Sequence, residues 1–263
     1  MRCHPGVGSM TSSDRRSLTR RWRWLLLWPA LLACSAAADT GSGSRLPYTE
    51  ASPGWLRAVG SLQVPGVKFL GGRRTHHREQ CSATLVASRP GRSADTLVTA
   101  WHCLEFYRDL SRPITFTLFR GEERELVREA YRLADGGGMH ADWAILRLPK
   151  PVSAGLAPAL AVHPGMADPG RAIVMAGFSR DGGAGPGGEG LSYDPACRIL
   201  HQRQSSSDTD CLALRGASGG AVVQLSATGE PLLAGVVSRG DSEELSVYVP
   251  IREFRGILLR YLD

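Results

Sequence analysis

Three short segments hold residue types that together could hydrolyse an acyl bond. Leu97-Val98-Thr99-Ala100-Trp101-His102-Cys103 is an apolar run ending in a histidine. His140-Ala141-Asp142-Trp143-Ala144-Ile145-Leu146 sets an aspartate at the head of another apolar run, and Gly216-Ala217-Ser218-Gly219-Gly220-Ala221 places a serine in a glycine-flanked turn before a third. A serine hydroxyl becomes a useful nucleophile once a base takes its proton, and imidazole is suited to that near neutral pH. A carboxylate behind the ring fixes its tautomer and stabilises the imidazolium. Glycines beside Ser218 let the backbone bend so that amides, here those of Gly216 and Ser218, converge on the developing oxyanion. Each segment alone is a weak signal; the chain order His102, Asp142, Ser218 is a recurring triad order.

The elements that must position these residues read as short strands. Ser82–Ala87, Thr96–Ala100, Ile114–Phe119, Trp143–Leu148, Ala172–Ala176, Ala221–Leu225, Pro231–Ser238 and Leu245–Val249 are apolar runs rich in Val, Leu, Thr and aromatics. They are split by turn residues, with 31 Gly and 16 Pro in 263 residues. This spacing predicts an all-β barrel or sandwich. Residues 39–55 are Gly-, Ser- and Pro-rich and read as a linker or loose arm; Asp181–Gly190, with six glycines, reads as a loop. Ile251, Phe254, Ile257, Leu258 and Leu262 share one helical face and predict a final helix from Pro250 to Leu262. Trp101 and Trp143 read as core, His140 as a solvated loop residue, and Arg73-Arg74 with His76-His77 as a surface loop.

The net charge of +6 is concentrated at one end. Residues 1–38 hold six Arg and one acid; the remainder holds 25 basic and 24 acidic residues, without the basic run a nucleic-acid partner would call for. Arg15 to Arg23, the apolar run Leu25–Ala33 and the small residues Ser35–Ala38 have the layout of a secretory signal peptide over 1–38, too short to span a bilayer as an anchor. Met10 offers an alternative start. Cleavage after Ala38 gives a soluble protein, whereas Leu31-Leu32-Ala33-Cys34 resembles a lipobox, in which Cys34 would be acylated and tether the chain to a membrane. The expected location is therefore outside the cytoplasm: periplasm, envelope or medium. Beyond Cys3 and Cys34, four cysteines remain: Cys81, Cys103, Cys197 and Cys211. In an exported chain they read as disulfides with three possible connectivities, of which neighbour pairing is the simplest. Each such bridge would be worth about 3 kcal/mol. A zinc site is the rival reading, disfavoured because no pair has CxxC spacing and His76 and His77 are adjacent.

At this point the sequence resembles the trypsin-like (chymotrypsin) serine proteases of the secreted bacterial type. Thr99-Ala100-Trp101-His102-Cys103 is similar to the family's Thr-Ala-Ala-His-Cys, Asp142-Trp143-Ala144-Ile145-Leu146 to its Asp-Ile-Ala-Leu-Leu, and Gly216–Gly220 to its Gly-Asp-Ser-Gly-Gly. Val237-Ser238-Arg239-Gly240 and Val247-Tyr248 resemble its later Val-Ser-Trp-Gly and Val-Tyr segments. The resemblance runs from about Ala58 to the C-terminus. It implies two six-stranded antiparallel β-barrels, at about 58–155 and 156–250, followed by the helix at 251–262, and a protease domain over 58–263 preceded by the arm at 39–57. It also implies a Cys81–Cys103 disulfide beside the histidine, a monomer without cofactor or metal, and a protein or peptide substrate. The specificity pocket would be lined by Leu212, Ser238, Arg239, Gly240 and Ser246.

The departures from the family are specific. Ala217 stands where many members carry the aspartate that pairs with a newly cut amino terminus, and no Ile-Val-Gly-Gly start is present, so that activation switch is not expected. Val237 replaces the histidine of glutamyl endopeptidases, and Leu212 falls at the pocket floor, so neither Glu nor Arg/Lys specificity is expected. Arg239 is expected to face solvent. The leading expectation is a serine endopeptidase working through an acyl-enzyme. A catalytically silent binding module and a structural envelope lipoprotein are the alternatives, and the filled triad favours the enzyme.

Overall fold

The computed structural model of the chain describes residues 45–179, 190–240 and 245–262. The leader at 1–38, with Cys34, and all but the last residue of the glycine-rich 181–190 stretch lie outside the described residues. Among the described residues no helix is long and apolar enough to cross a membrane.

After a two-residue strand, β1 (Leu46–Pro47), six strands follow: β2 (Val59–Leu70), β3 (Arg73–Ala87), β4 (Ala94–Thr99), β5 (Ile114–Leu118), β6 (Leu126–Asp135) and β7 (Ala144–Val152). They pair antiparallel in the cycle β2–β3–β4–β7–β6–β5–β2 and so close a six-stranded barrel. Closure leaves no open edge, and the inward residues fill the lumen; Leu62, Leu85, Leu97, Phe116 and Ile145 are fully buried there.

The second ring comprises β9 (Ile173–Phe178), β10 (Leu191–Cys197), β11 (Ile199–Gln202), β12 (Ser207–Thr209), β13 (Ala221–Leu225), β14 (Pro231–Gly240) and β15 (Ser246–Pro250). Only Arg198 separates β10 from β11, next to a register shift between Asp194 and Cys197, so the two act as one bent strand. The ring then runs β9–β10/β11–β12–β15–β14–β13–β9, all antiparallel. Between the barrels, β8 (Leu160–Val162) lies parallel to both β3 and β14.

All eight apolar runs read from the sequence fall on strands. Four expectations are corrected. The N-terminal arm is not loose where it is described: β1 pairs with β10, and Gly54–Ala58 forms a 3-10 turn that buries Trp55, Leu56 and Ala58. The final helix is shorter than 251–262, consisting of a 3-10 turn at Ile251–Glu253 and one helical turn, α1 (Arg255–Leu258). It still buries the expected face, with Ile251, Phe254 and Leu258 fully covered. Arg73, Arg74, His76 and His77 lie on the outer half of β3, not in a loop, because that half is paired along its length with β2. Trp143 is core, whereas Trp101 is only half-buried.

Candidate active site

Strand pairing brings His102 and Asp142 together. β4 ends at Thr99 and β7 starts at Ala144, and these two residues are ladder partners. A 3-10 turn at Trp101–Leu104 follows β4 and presents His102; the next residue, Cys103, is bonded to Cys81 in β3. Asp142, two residues before β7, is 1% exposed. Its Oδ1 accepts the backbone N–H of His102 at 2.9 Å, and its Oδ2 is 2.9 Å from His102 Nδ1. Ser238 Oγ on β14 donates to Oδ2 at 2.6 Å. An ionised carboxylate only accepts, so Nδ1 carries the proton and Nε2 is left as the basic nitrogen. Burial pushes the Asp142 pKa upward, but the bonds from His102 and Ser238 and the adjacent imidazole outweigh it and hold the carboxyl below its ordinary value.

Ser218 sits in an irregular turn just before β13. Gly216 and Gly219 have φ of +95° and +81°, a region that favours glycine. A Cβ on Gly219 would come within 2.1 Å of Thr99 Oγ1 and 2.2 Å of the Ser82 carbonyl oxygen, and one on Gly216 within 2.5 Å of the Phe178 carbonyl oxygen. The turn is therefore pressed against β3, β4 and β9. Ser82 clamps it twice: its N–H donates to the Ser218 carbonyl and its Oγ to the Gly216 carbonyl, both at 2.8 Å. Ala217, Gly219 and Gly220 donate their N–H groups to internal carbonyls. Among the described residues, Gly216 and Ser218 do not, which leaves both amides available to an incoming oxygen. The Ser218 hydroxyl donates to the Ser238 carbonyl at 3.3 Å and, among the described residues, makes no bond to the imidazole. In unliganded sites such nucleophile–base bonds often tighten only when substrate is present.

His102 and Ser218 border two adjoining clefts. One, of ≈ 330 Å³, is flanked by His77 to Cys81 of β3 and by Arg215 and Gly216. The other, of ≈ 470 Å³, is lined by Met139, Ala213, Leu214, Arg215, Ser238, Arg239 and Gly240. Of the residues expected to line a specificity pocket, Ser238, Arg239 and Gly240 border this cleft, and Arg239 is exposed. Leu212 and Ser246 line neither cleft. Leu212 is bonded through its N–H to Asp194 and through its carbonyl to Arg45, and Ser246 Oγ accepts the Ala213 N–H. Sequence reasoning missed Ser82, Arg45 and the part Ser238 plays toward Asp142. Only Ser238 carried a signal, its place in Val237-Ser238-Arg239-Gly240.

Among the described residues the disulfides are Cys81–Cys103 and Cys197–Cys211, the neighbour pairing. The sulfurs beside His102 are bonded to one another, and that bridge accounts for the Cys81, His102 and Cys103 cluster. Two disulfides fit an oxidising compartment.

This architecture, a closed six-stranded barrel joined to a second β ring with a short C-terminal helix, fits the chymotrypsin-like fold class. No protein-family model matches the chain, and neither does any curated protein. Among solved structures, the fold is similar to a crystal structure described as the Rv3671c protease from M. tuberculosis in its active form. The TM-score is 0.54 and the identity 18%, over 78% of this chain and 81% of that one. At that identity the likeness establishes the fold.

Proposed function

We propose that the chain is a serine endopeptidase of the trypsin-like kind, acting outside the cytoplasm through an acyl-enzyme. The observation that carries this reading is the buried Asp142, bonded to both the ring and the backbone of His102, across a cleft from Ser218 with two undonated amides beside it. In this reading His102 Nε2 takes the Ser218 proton as Oγ attacks the scissile carbonyl. The Gly216 and Ser218 amides receive the oxyanion. The imidazolium, steadied by Asp142, returns its proton to the departing amine, and water then repeats the sequence to release the acid. The leader and the two disulfides support export, and the protein or peptide substrate would lie along the clefts.

A silent binding module is the second reading, favoured by one observation: the Ser218 hydroxyl rests on the Ser238 carbonyl, not on the imidazole. A fluorophosphonate probe, which is attacked only by an activated serine, separates the two. The wild-type protein is expected to be labelled, and Ser218→Ala and His102→Ala are expected to abolish labelling. A folded wild type that stays unlabelled would favour the silent module.

A further inference from the structure

Arg45 belongs to the arm ahead of the first barrel, yet its guanidinium is built into the second. β1 holds the arm in register with β10, Leu46 against Tyr193 and Pro47 against Ser192, and the Tyr48 N–H continues the ladder to the Leu191 carbonyl. From that anchorage Arg45 bonds, among the described residues, to three separate pieces of chain. Its Nε and Nη2 donate to Ser192 Oγ at 3.1 and 2.8 Å, and Nη2 also donates to the Ser192 carbonyl at 2.7 Å and the Gly177 carbonyl at 3.4 Å. Nη1 donates to the Leu212 carbonyl. Ser192 is fully buried. A planar fork of five N–H donors suits such a divided set of acceptors, and an ammonium does not.

Leu212 is where the site's wall begins. Residues 212–216 have no regular structure, line the larger cleft from Ala213 onward and lead into the two amides beside the nucleophile. Among the described residues, few bonds fix this stretch: Asp194 to the Leu212 N–H, Ser246 to the Ala213 N–H, the Ala217 N–H to the Leu214 carbonyl, Ser82 to the Gly216 carbonyl, and Arg45 to the Leu212 carbonyl. Gly177, whose carbonyl Arg45 also touches, packs under the nucleophile turn, where a Cβ would come within 2.8 Å of Ala217 Cα. One guanidinium therefore connects the wall to the strand beneath the turn.

We propose that Arg45 is a positioning residue of the site, an internal cationic brace that orders the 212–216 wall and, through it, the Gly216 and Ser218 amides. It rests on the hydrolase reading above. The position beside the nucleophile holds Ala217, with no carboxylate to receive a cut amino terminus. Arg45 supplies a brace without any cut. A cut ahead of Arg45 leaves the site ordered, and a cut just after it removes the guanidinium and disorders the site.

The test uses the exported protein with Arg45→Ala and Arg45→Lys, and Arg124→Ala as a control. Arg124, between β5 and β6, bonds Tyr48 and Glu50 of the same arm and Glu122 beside it, without touching the wall. Fluorophosphonate labelling of Arg45→Ala should slow by about 10²-fold, the order expected when a remote change misplaces reacting groups by about 1 Å. Arg124→Ala should label like wild type. On an ester substrate kcat should fall more than KM rises, and millimolar guanidinium should restore part of the rate in Arg45→Ala alone. Backbone hydrogen exchange should accelerate across 212–218 and not in the first barrel. Wild-type labelling by Arg45→Ala, or unchanged exchange at 212–218, overturns the proposal. If Arg45→Ala fails to fold, Arg45→Lys carries the same readouts. If even wild type is unlabelled, the hydrolase reading falls, while the exchange data still decide whether Arg45 orders the wall.

Discussion

The two halves of the candidate site are held in different ways. His102 and Asp142 come from the ends of paired strands in the closed barrel, so the ladder that places Thr99 opposite Ala144 also places the base near its acid. Ser218 and the cleft wall come from an irregular stretch: Ser82 and Val237 hold the turn by two bonds each, and single bonds from Asp194, Ser246 and Arg45 hold the wall. Geometry inherited from a sheet is redundant, since many ladder bonds share the load. Geometry built from single tethers can be lost one tether at a time. The acid–base half should therefore tolerate the loss of a supporting contact, and the nucleophile half should not.

The largest effect should come from changing the acid without changing its shape. Asp142→Asn should lower the labelling and ester-hydrolysis rate by about 10⁴-fold with little loss of folding, because the amide favours the wrong imidazole tautomer. Rates within tenfold of wild type would remove Asp142 from the chemistry. Next, Gly219→Ala should strike stability: it strains a positive φ and drives a Cβ into Ser82 and Thr99. A loss of roughly 3 kcal/mol is expected in urea unfolding. Third, Cys197→Ser with Cys211→Ser removes the bridge next to the wall, with 14 residues of sequence separation. It should cost about 2–4 kcal/mol and slow labelling further; the same pair of changes at Cys81 and Cys103 should slow it less if strand pairing alone keeps His102 in place.

The smallest effect sharpens the comparison through pH. Asp142 has a folded pKa below its unfolded value, so it contributes stability that is present above the unfolded value, about 3.9, and lost as pH falls through the folded one. Ser238→Ala removes a bond to the charged form and should cost about 1.5–3 kcal/mol at neutral pH. The difference in melting temperature from wild type should shrink as the pH is lowered through the folded pKa of Asp142. A difference that stays constant with pH would mean that Ser238 does not act on the ionised carboxylate.

Much of the barrel scaffold was legible because apolar runs with β-branched and aromatic residues announce buried strands, as Ala221–Leu225 and Ile114–Leu118 do. β6 escaped notice because Arg128, Glu129 and Arg132 interrupt its apolar pattern and leave no run of hydrophobic residues to read. The outer half of β3 is rich in Arg and His, and only its pairing with β2 makes it a strand. The stretch 39–55 reads as a linker because Gly, Ser and Pro there suggest turns; where it is described, from residue 45, its order comes from the β10 edge and the core that it meets.

By itself the sequence determined the candidate chemistry: which side chains could act as nucleophile, base and acid, and that four cysteines were available to close two loops. It did so because those roles depend on residue type and on short-range context, such as glycines beside Ser218. Tertiary structure alone decided which distant groups meet them. Ser238 reaches Asp142 across 96 residues, Ser82 reaches Gly216 across 134, and Arg45 reaches Leu212 across 167. Local sequence carries no record of such partners, because a polar side chain can satisfy its hydrogen bonds in water or on any carbonyl that folding brings within reach. Barrel closure and the packing of two barrels select the one it finds.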